Sequence, residues 1–142
     1  MQKDNFESPD FYELDELLTT EQILVRNSIR DWVKENVSPI IENYFLIGKF
    51  PKKLIKGLSE IGAFGAILPQ KWGGSELDFV SYGLMMQELE RGDSSIRVLS
   101  SIQTSLVMNS IYKYGSEKQK RKYLIPLSKG ESIGSFGMTE PN

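Results

Sequence analysis

Arg97 is the residue whose type and surroundings most invite chemistry. It stands four residues after Asp93 and seven after Glu90. A guanidinium is a planar fork that can hold a carboxylate through two parallel hydrogen bonds, and lysine would hold it less well. The same spacing suits an ordinary ion pair with either acid, worth about 0–1 kcal/mol at a surface. Both readings fit the residues, and Glu90 is open in the same way, as part of a site or of a solvated helix face. Lys118, Lys120, Arg121 and Lys122 form a basic run. It reads as a solvated helix face, with a phosphate contact as the alternative. Trp72 with Gly73-Gly74 can wall a pocket or plug a core beneath a loop. Thr139-Glu140-Pro141 has the form of a turn following a strand.

What is missing narrows the chemistry further. The chain has no histidine and no cysteine. This removes the commonest general base, any Ser-His triad, a thiol nucleophile, a disulfide framework and thiolate or imidazole metal sites, so no metal is expected. Reactions must use carboxylates, Lys, Arg, Tyr, hydroxyls or a borrowed cofactor. Seventeen basic against nineteen acidic residues give a net charge of −2, which argues against a nucleic-acid partner, since displacing phosphate counterions needs a basic field. No apolar run approaches the roughly 20 residues that span a bilayer. The acid-rich opening lacks the form of a signal or transit peptide, which makes a reducing cytoplasm the default expectation.

The elements that must position these residues are helical. An acidic lead-in, residues 1–18, is expected to be lightly ordered. Thr19 with Gln22 has the capping-box form, and Val25, Ile29, Trp32 and Val33 recur at helical spacing up to Ser38-Pro39. A short helical piece is predicted over Ile40 to Phe45. Pro51 opens a second helix with Leu54, Ile55, Leu58 and Ile61 buried and Gly62 at its end. A loop follows from Gly65 to Leu77. A third helix is predicted over Asp78 to Arg91, with Phe79, Val80, Leu84 and Leu89 as core positions. A fourth starts at Ser94 or Ser95, either of which can cap it. It buries Ile96, Leu99, Ile102, Leu106, Val107, Ile111 and Tyr114 and stops at Gly115. Ser116 with Gln119 caps a fifth, which Pro126 breaks or kinks and Gly130 closes. From Ser132 to Met138 the pattern becomes that of a β-strand. The fold class is therefore mainly α, a helical bundle with the first strand of a following β-domain at its end. The expected organisation is a lead-in over 1–18, a helical domain over 19–131 and the start of another domain over 132–142. The parent chain is expected to continue beyond Asn142.

Three segments carry a resemblance. They are Gly62-Ala63-Phe64-Gly65 with Pro69 and Trp72-Gly73-Gly74; Tyr114-Gly115-Ser116-Glu117-Lys118-Gln119-Lys120 through Gly130-Glu131; and Phe136-Gly137-Met138-Thr139-Glu140-Pro141. In order and spacing they resemble the N-terminal domain of the acyl-CoA dehydrogenase family. Leu18-Thr19-Thr20-Glu21, the run from Glu90 to Arg97 and Gln103 to Met108 are similar to the glutaryl-CoA dehydrogenase branch.

The resemblance implies a helical N-terminal domain followed by a middle β-domain and a C-terminal four-helix bundle. It implies an FAD-dependent enzyme, a homotetramer at full length, that takes a proton from the α carbon of an acyl-CoA and passes a hydride from the β carbon to flavin. Electrons then go to an electron-transfer flavoprotein. In the glutaryl branch the product also loses carbon dioxide, giving crotonyl-CoA. By resemblance Arg97 faces the distal carboxylate of the substrate, Glu90 lies near it and Ser101 supplies a hydroxyl. Phe136, Met138 and Thr139 are the first flavin contacts. No catalytic residue is expected in this segment, because the family's base is a glutamate of the C-terminal domain, so the segment alone is expected to be inactive. Val98 departs from the branch, which has a serine there that helps hold the substrate. This leaves the acyl group open. The alternatives are a short-chain acyl-CoA dehydrogenase, an acyl-CoA oxidase and a non-catalytic helical interaction module.

Overall fold

The computed structural model describes residue 7 and residues 9–137. Every regular element among them is helical. In chain order these are a 3-10 turn Leu14–Leu17, α1 Thr20–Asn36, α2 Ile41–Leu46, α3 Leu54–Glu60, a 3-10 turn Gln70–Trp72, α4 Phe79–Gly92, α5 Ser94–Ser101, a π-helical segment Ile102–Met108, α6 Asn109–Tyr114 and α7 Glu117–Ser128. None of these helices is long and apolar enough to cross a membrane. The chain divides into two compact units, one formed by Met1–Leu54 with Asp78–Arg97 and the other by Ile55–Leu77 with Val98–Asn142.

In the first unit, α1 begins as the sequence predicts. Thr19 Oγ1 accepts from Gln22 N at 3.2 Å and Gln22 Oε1 accepts from Thr19 N at 3.0 Å, so two amides that would otherwise be orphaned at the helix start are satisfied. The lead-in is more ordered than expected over its second half. Both carboxylate oxygens of Asp10 accept main-chain N–H bonds, from Leu14 and Asp15, at 2.9 Å each. Asp15 in turn pairs with Arg26 of α1 through both carboxylate oxygens.

The buried face of α4 differs from the expected one. Phe79 and Val80 are exposed, while Ser81, Met85, Glu88 and Leu89 are inside. These four follow helical spacing, but two are polar, so a search for apolar repeats passes over the true face. Glu88 is only 1% exposed. Arg30 of α1 grips it with two hydrogen bonds, Nε to Oε2 at 3.1 Å and Nη2 to Oε1 at 2.6 Å. Arg91 adds a third, Nε to Oε2 at 3.1 Å. Together with buried Ile29, Val33, Met85 and Leu89, this charged cluster fastens α1 to α4.

In the second unit a cluster of Leu68, Trp72, Met108, Leu124 and Leu127 forms the core. Each fully buried large apolar side chain of this kind contributes about 1.5–3 kcal/mol. Gly62 and Gly130 take the left-handed conformation at the ends of α3 and α7, as predicted. Ser116 and Gln119 form the expected capping box of α7. Pro126, however, does not break α7, which runs on to Ser128. Its carbonyl receives the N–H groups of Glu131 and Ser132 at 3.0 and 3.2 Å, which turns the chain beyond the helix.

The predicted fourth helix holds a rarer form in its middle. Over Ile102–Met108 the backbone is π-helical, with the wider turn of i→i+5 bonding. The wider turn changes the register, so the second unit buries Gln103, Thr104 and Met108 rather than Leu106, which is exposed. Tyr114, also expected inside, is exposed as well. The strand expected from Ser132 is absent among the described residues. Residues 133–137 hold no regular structure, and Met138 lies outside the described residues. A strand needs a ladder partner, and the described residues provide none.

Replacing Glu88 with alanine leaves two guanidiniums facing one another without their carboxylate. The expected loss is about 3–5 kcal/mol in equilibrium urea unfolding. A loss below about 1 kcal/mol would mean that Arg30 and Arg91 simply turn out to solvent.

Candidate functional site

The site predicted around Arg97 is built by two helices and the single residue between them. Asp78 caps α4 with unusual completeness: Oδ1 accepts from Val80 N at 2.7 Å and Ser81 N at 3.0 Å, and Oδ2 accepts from Ser81 Oγ at 2.7 Å. The amides and hydroxyl of Ser81, with Val80, hold the Asp78 carboxyl below its ordinary range. Gln22 Nε2 also donates to Asp78 Oδ1 at 3.3 Å, tying the caps of α1 and α4 together.

At its other end α4 stops because Asp93 is extended (φ −172, ψ 136). Asp93, and not a serine, then caps α5: its Oδ1 accepts from Ser95 N at 2.8 Å and from the Ser95 hydroxyl. Asp93 is thereby committed to a cap and is not the partner of Arg97.

The last turn of α4 and the first turn of α5 bring Glu90 and Arg97 together. Arg97 Nε donates to Glu90 Oε2 at 2.6 Å, and Ser94 Oγ donates to Glu90 Oε1 at 2.7 Å. The pair is accessible, with 35% of the Arg97 side chain and 44% of that of Glu90 exposed. The Arg97 bond, followed by the Ser94 hydroxyl, lowers the Glu90 carboxyl from its ordinary value against a smaller opposing effect of desolvation. Glu90 is therefore ionised at neutral pH. The two terminal nitrogens of Arg97 have no hydrogen-bond partner among the described residues. The ion-pair reading of Arg97 is thus realised through one edge of the fork, which leaves the other donors for a second acceptor.

The remaining candidates lie in the second unit. The Ser101 hydroxyl donates to the Val98 carbonyl at 3.1 Å, within its own helix. Phe136 is 48% exposed. Met138 and Thr139 lie outside the described residues. Trp72 belongs to the core cluster, with Lys71 over its ring at 5.5 Å. Gly74 beside it has no room for a side chain, since a Cβ would fall 1.9 Å from the Leu68 carbonyl oxygen. The basic run has local partners in part: Lys120 pairs with Glu117 at 3.3 Å and lies over the Tyr112 ring, and Lys122 lies over the Tyr123 ring.

An open cavity of about 480 Å³ on the first unit is lined by Ile41, Tyr44, Phe45, Phe50 and the residues from Asp93 to Ser95, but by neither Glu90 nor Arg97. Gln103 and Thr104 are among the buried polar residues whose burial the sequence reasoning did not foresee. The Thr104 hydroxyl donates to the Ala63 carbonyl at 2.9 Å and accepts from Gly65 N at 2.8 Å. Polarity alone does not set Gln103 and Thr104 apart in the sequence, since Ser100, Ser101 and Ser105 stand beside them.

Residues 19–131 match the family described as acyl-CoA dehydrogenase, N-terminal domain. The short-chain specific acyl-CoA dehydrogenase of Clostridium acetobutylicum is 38% identical over 125 residues, which cover 88% of this chain and 33% of that protein. A glutaryl-CoA dehydrogenase from Mycobacterium smegmatis, solved in complex with FADH2, superposes with a TM-score of 0.89 at 39% identity, covering 92% of this chain and 33% of its own. Butyryl-CoA dehydrogenase from Megasphaera elsdenii superposes with a TM-score of 0.80 at 34% identity, over 94% of this chain and 34% of that one. The chain spans about a third of the length of these relatives.

The lowered Glu90 pKa sets a pH dependence. In the unfolded chain the carboxyl has its ordinary pKa and binds a proton more readily than in the fold. The Glu90–Arg97 contribution is therefore complete above that value and is lost as pH falls through the lowered folded value. Thermal midpoints recorded from pH 7 down to pH 3 should fall less steeply for Glu90→Gln than for the wild type; parallel curves would show that the bond carries no stability.

Proposed function

The chain belongs to the acyl-CoA dehydrogenase family, and we propose that it forms the N-terminal part of an FAD-dependent enzyme that dehydrogenates glutaryl-CoA. The observation that carries the choice of substrate is Arg97, an accessible guanidinium held through Nε by Glu90 with its terminal nitrogens open. Those nitrogens suit a distal carboxylate, which an alkyl acyl chain lacks. Glu90 fixes the fork in place, and Ser94 fixes Glu90. Ser101 contributes a hydroxyl for the acyl group on this reading.

The fit of a flavin rests on Phe136 and Gly137 among the described residues. The Phe136 ring is half-exposed, and a Cβ at Gly137 would meet nothing within 4 Å, so both the ring and the backbone here are open to approach. FAD, when bound, supplies the hydride acceptor. On this reading Phe136 packs against it, and Met138 and Thr139 hydrogen-bond to it. The catalytic base, the rest of the flavin and CoA contacts, the homotetramer and the electron-transfer flavoprotein partner belong to the full-length enzyme. So do the domain limits, with a lead-in over 1–18, a helical domain over 19–131 and the start of a β-domain over 132–142.

A second reading draws on the same bond. If the pairing with Glu90 is all that Arg97 does, the enzyme is a short-chain acyl-CoA dehydrogenase, and Val98 fits that better than the serine of the glutaryl branch. Anaerobic titration of the flavin in the full-length protein separates the two. Preferential bleaching by glutaryl-CoA, with crotonyl-CoA and carbon dioxide released, supports the first; preferential bleaching by butyryl-CoA supports the second. Hydrogen peroxide formed in air would point to an oxidase, and absence of flavin to a non-catalytic helical module.

Arg97→Ala in the full-length enzyme should lower kcat/KM for glutaryl-CoA by about a hundredfold or more, since each bond to a charged group contributes about 1.5–3 kcal/mol and tenfold in rate corresponds to about 1.4 kcal/mol. Butyryl-CoA turnover should change little. Equal losses on both substrates would remove the carboxylate-holding role. Residues 1–142 expressed alone should show no turnover and no stoichiometric flavin by absorbance; tight flavin on the purified segment would contradict this.

A further inference from the structure

We propose that Gln103 is a positioning residue that sets where the segment bearing Phe136 meets the flavin. The inference rests on the flavoenzyme reading above. Gln103 is fully buried in the second unit. Its Nε2 donates to the carbonyls of Leu127 at 2.8 Å and Ser132 at 2.9 Å, and its Oε1 accepts from Gly134 N at 2.9 Å. Both amide hydrogens and the oxygen are therefore used. The partners also fix which end is which, since two carbonyls demand donors and an N–H demands an acceptor.

One side chain thus ties the last turn of α7 to residues 132 and 134. It bonds the main chain at both 132 and 134, in a stretch with no ladder of its own among the described residues. A second contact acts on the same spot. Gly134 lies so close to the π-helical segment that a Cβ would fall 2.5 Å from Val107 Cγ1. The chain advances at most about 3.6 Å per residue. Phe136, two residues on, is therefore within roughly 7 Å of the anchored Gly134. The amide restricts the approach of the segment before any ligand arrives, which is what a preorganised site requires.

Three variants of the full-length holoenzyme test this. Gln103→Leu removes all three bonds. Gly134→Ala keeps the amide but pushes the segment off Val107. Thr104→Val removes an equally buried hydroxyl of the same π-helical segment, one that bonds to Ala63 and Gly65 and not to residues 132–134. The Kd for FAD and the visible spectrum of bound flavin are measured well below each unfolding midpoint. Gln103→Leu and Gly134→Ala should each weaken FAD by at least about tenfold, the scale on which loss of an outer supporting partner weakens bound metals, and shift the spectrum. Thr104→Val should lower the unfolding midpoint and leave Kd within about threefold, well short of that scale. If Gln103→Leu does not fold, Gly134→Ala carries the test. Unchanged FAD affinity in the Gln103 and Gly134 variants, or an equal loss in Thr104→Val, overturns the positioning role while leaving the flavoenzyme reading intact. A wild-type full-length protein that holds no FAD overturns that reading instead.

Discussion

A polar group taken out of water must find its partner inside the protein, and both units are arranged around groups under that constraint. Leaving a buried donor or acceptor unpaired costs about 1–3 kcal/mol, more than a typical net hydrogen bond returns. No buried side-chain nitrogen or oxygen among the described residues is left without one. In the second unit the constraint falls on Gln103 and Thr104, whose partners lie on three separate stretches of chain. An apolar core tolerates some sliding of one surface over another. An amide with three assigned partners does not, because a shift of even an ångström breaks several bonds together. The π-helical turn fits this picture: it is a rare backbone form, and it occurs where two successive polar side chains are buried.

The first unit meets the same constraint with charge. Glu88 is nearly inaccessible, and two arginines saturate it. Desolvating a carboxylate costs several kcal/mol, so the cluster contributes less to stability than its three bonds suggest. Its effect on geometry is more direct. Arg30 meets both oxygens of Glu88, so α1 and α4 are fixed in register, and with them the caps at Thr19 and Asp78 that share the Gln22 bond. The turn that carries Glu90 lies at the other end of this fixed helix.

Legibility followed the range of the interaction. Capping boxes are local, and both Thr19–Gln22 and Ser116–Gln119 were readable from residue type and a three-residue offset. Gly62 and Gly130 were readable for the same reason. The buried face of α4 was not, because the Glu88 carboxylate is held inside by Arg30, fifty-eight residues away, together with Arg91 of its own helix. Gln103 was hidden likewise, since its partners come from α7 and beyond, and the π-helical register it sits in has no residue signature. At the candidate site, the choice of Glu90 over Asp93 as the partner of Arg97 depended on which acid would cap α5. Short offsets allow both, and only the extended backbone at Asp93 decides.

That choice bears on how the site can discriminate. With Glu90 ionised beside it, Arg97 is a neutral pair, so net charge alone cannot draw a second carboxylate to it. Distance can. Coulomb energy falls with separation, so a carboxylate that reaches the terminal nitrogens is attracted by the nearer guanidinium more than it is repelled by the farther Glu90. The balance favours binding by less than the bare attraction. It survives only while the incoming group reaches the terminal nitrogens, on the side away from Glu90. A neutral acyl tail feels neither term, and the paired arginine spares it the cost of an uncompensated charge nearby. On the proposed reading of Arg97, the Glu90–Arg97 bond thus trades affinity for geometric selectivity: it weakens any carboxylate, and weakens a misplaced one most.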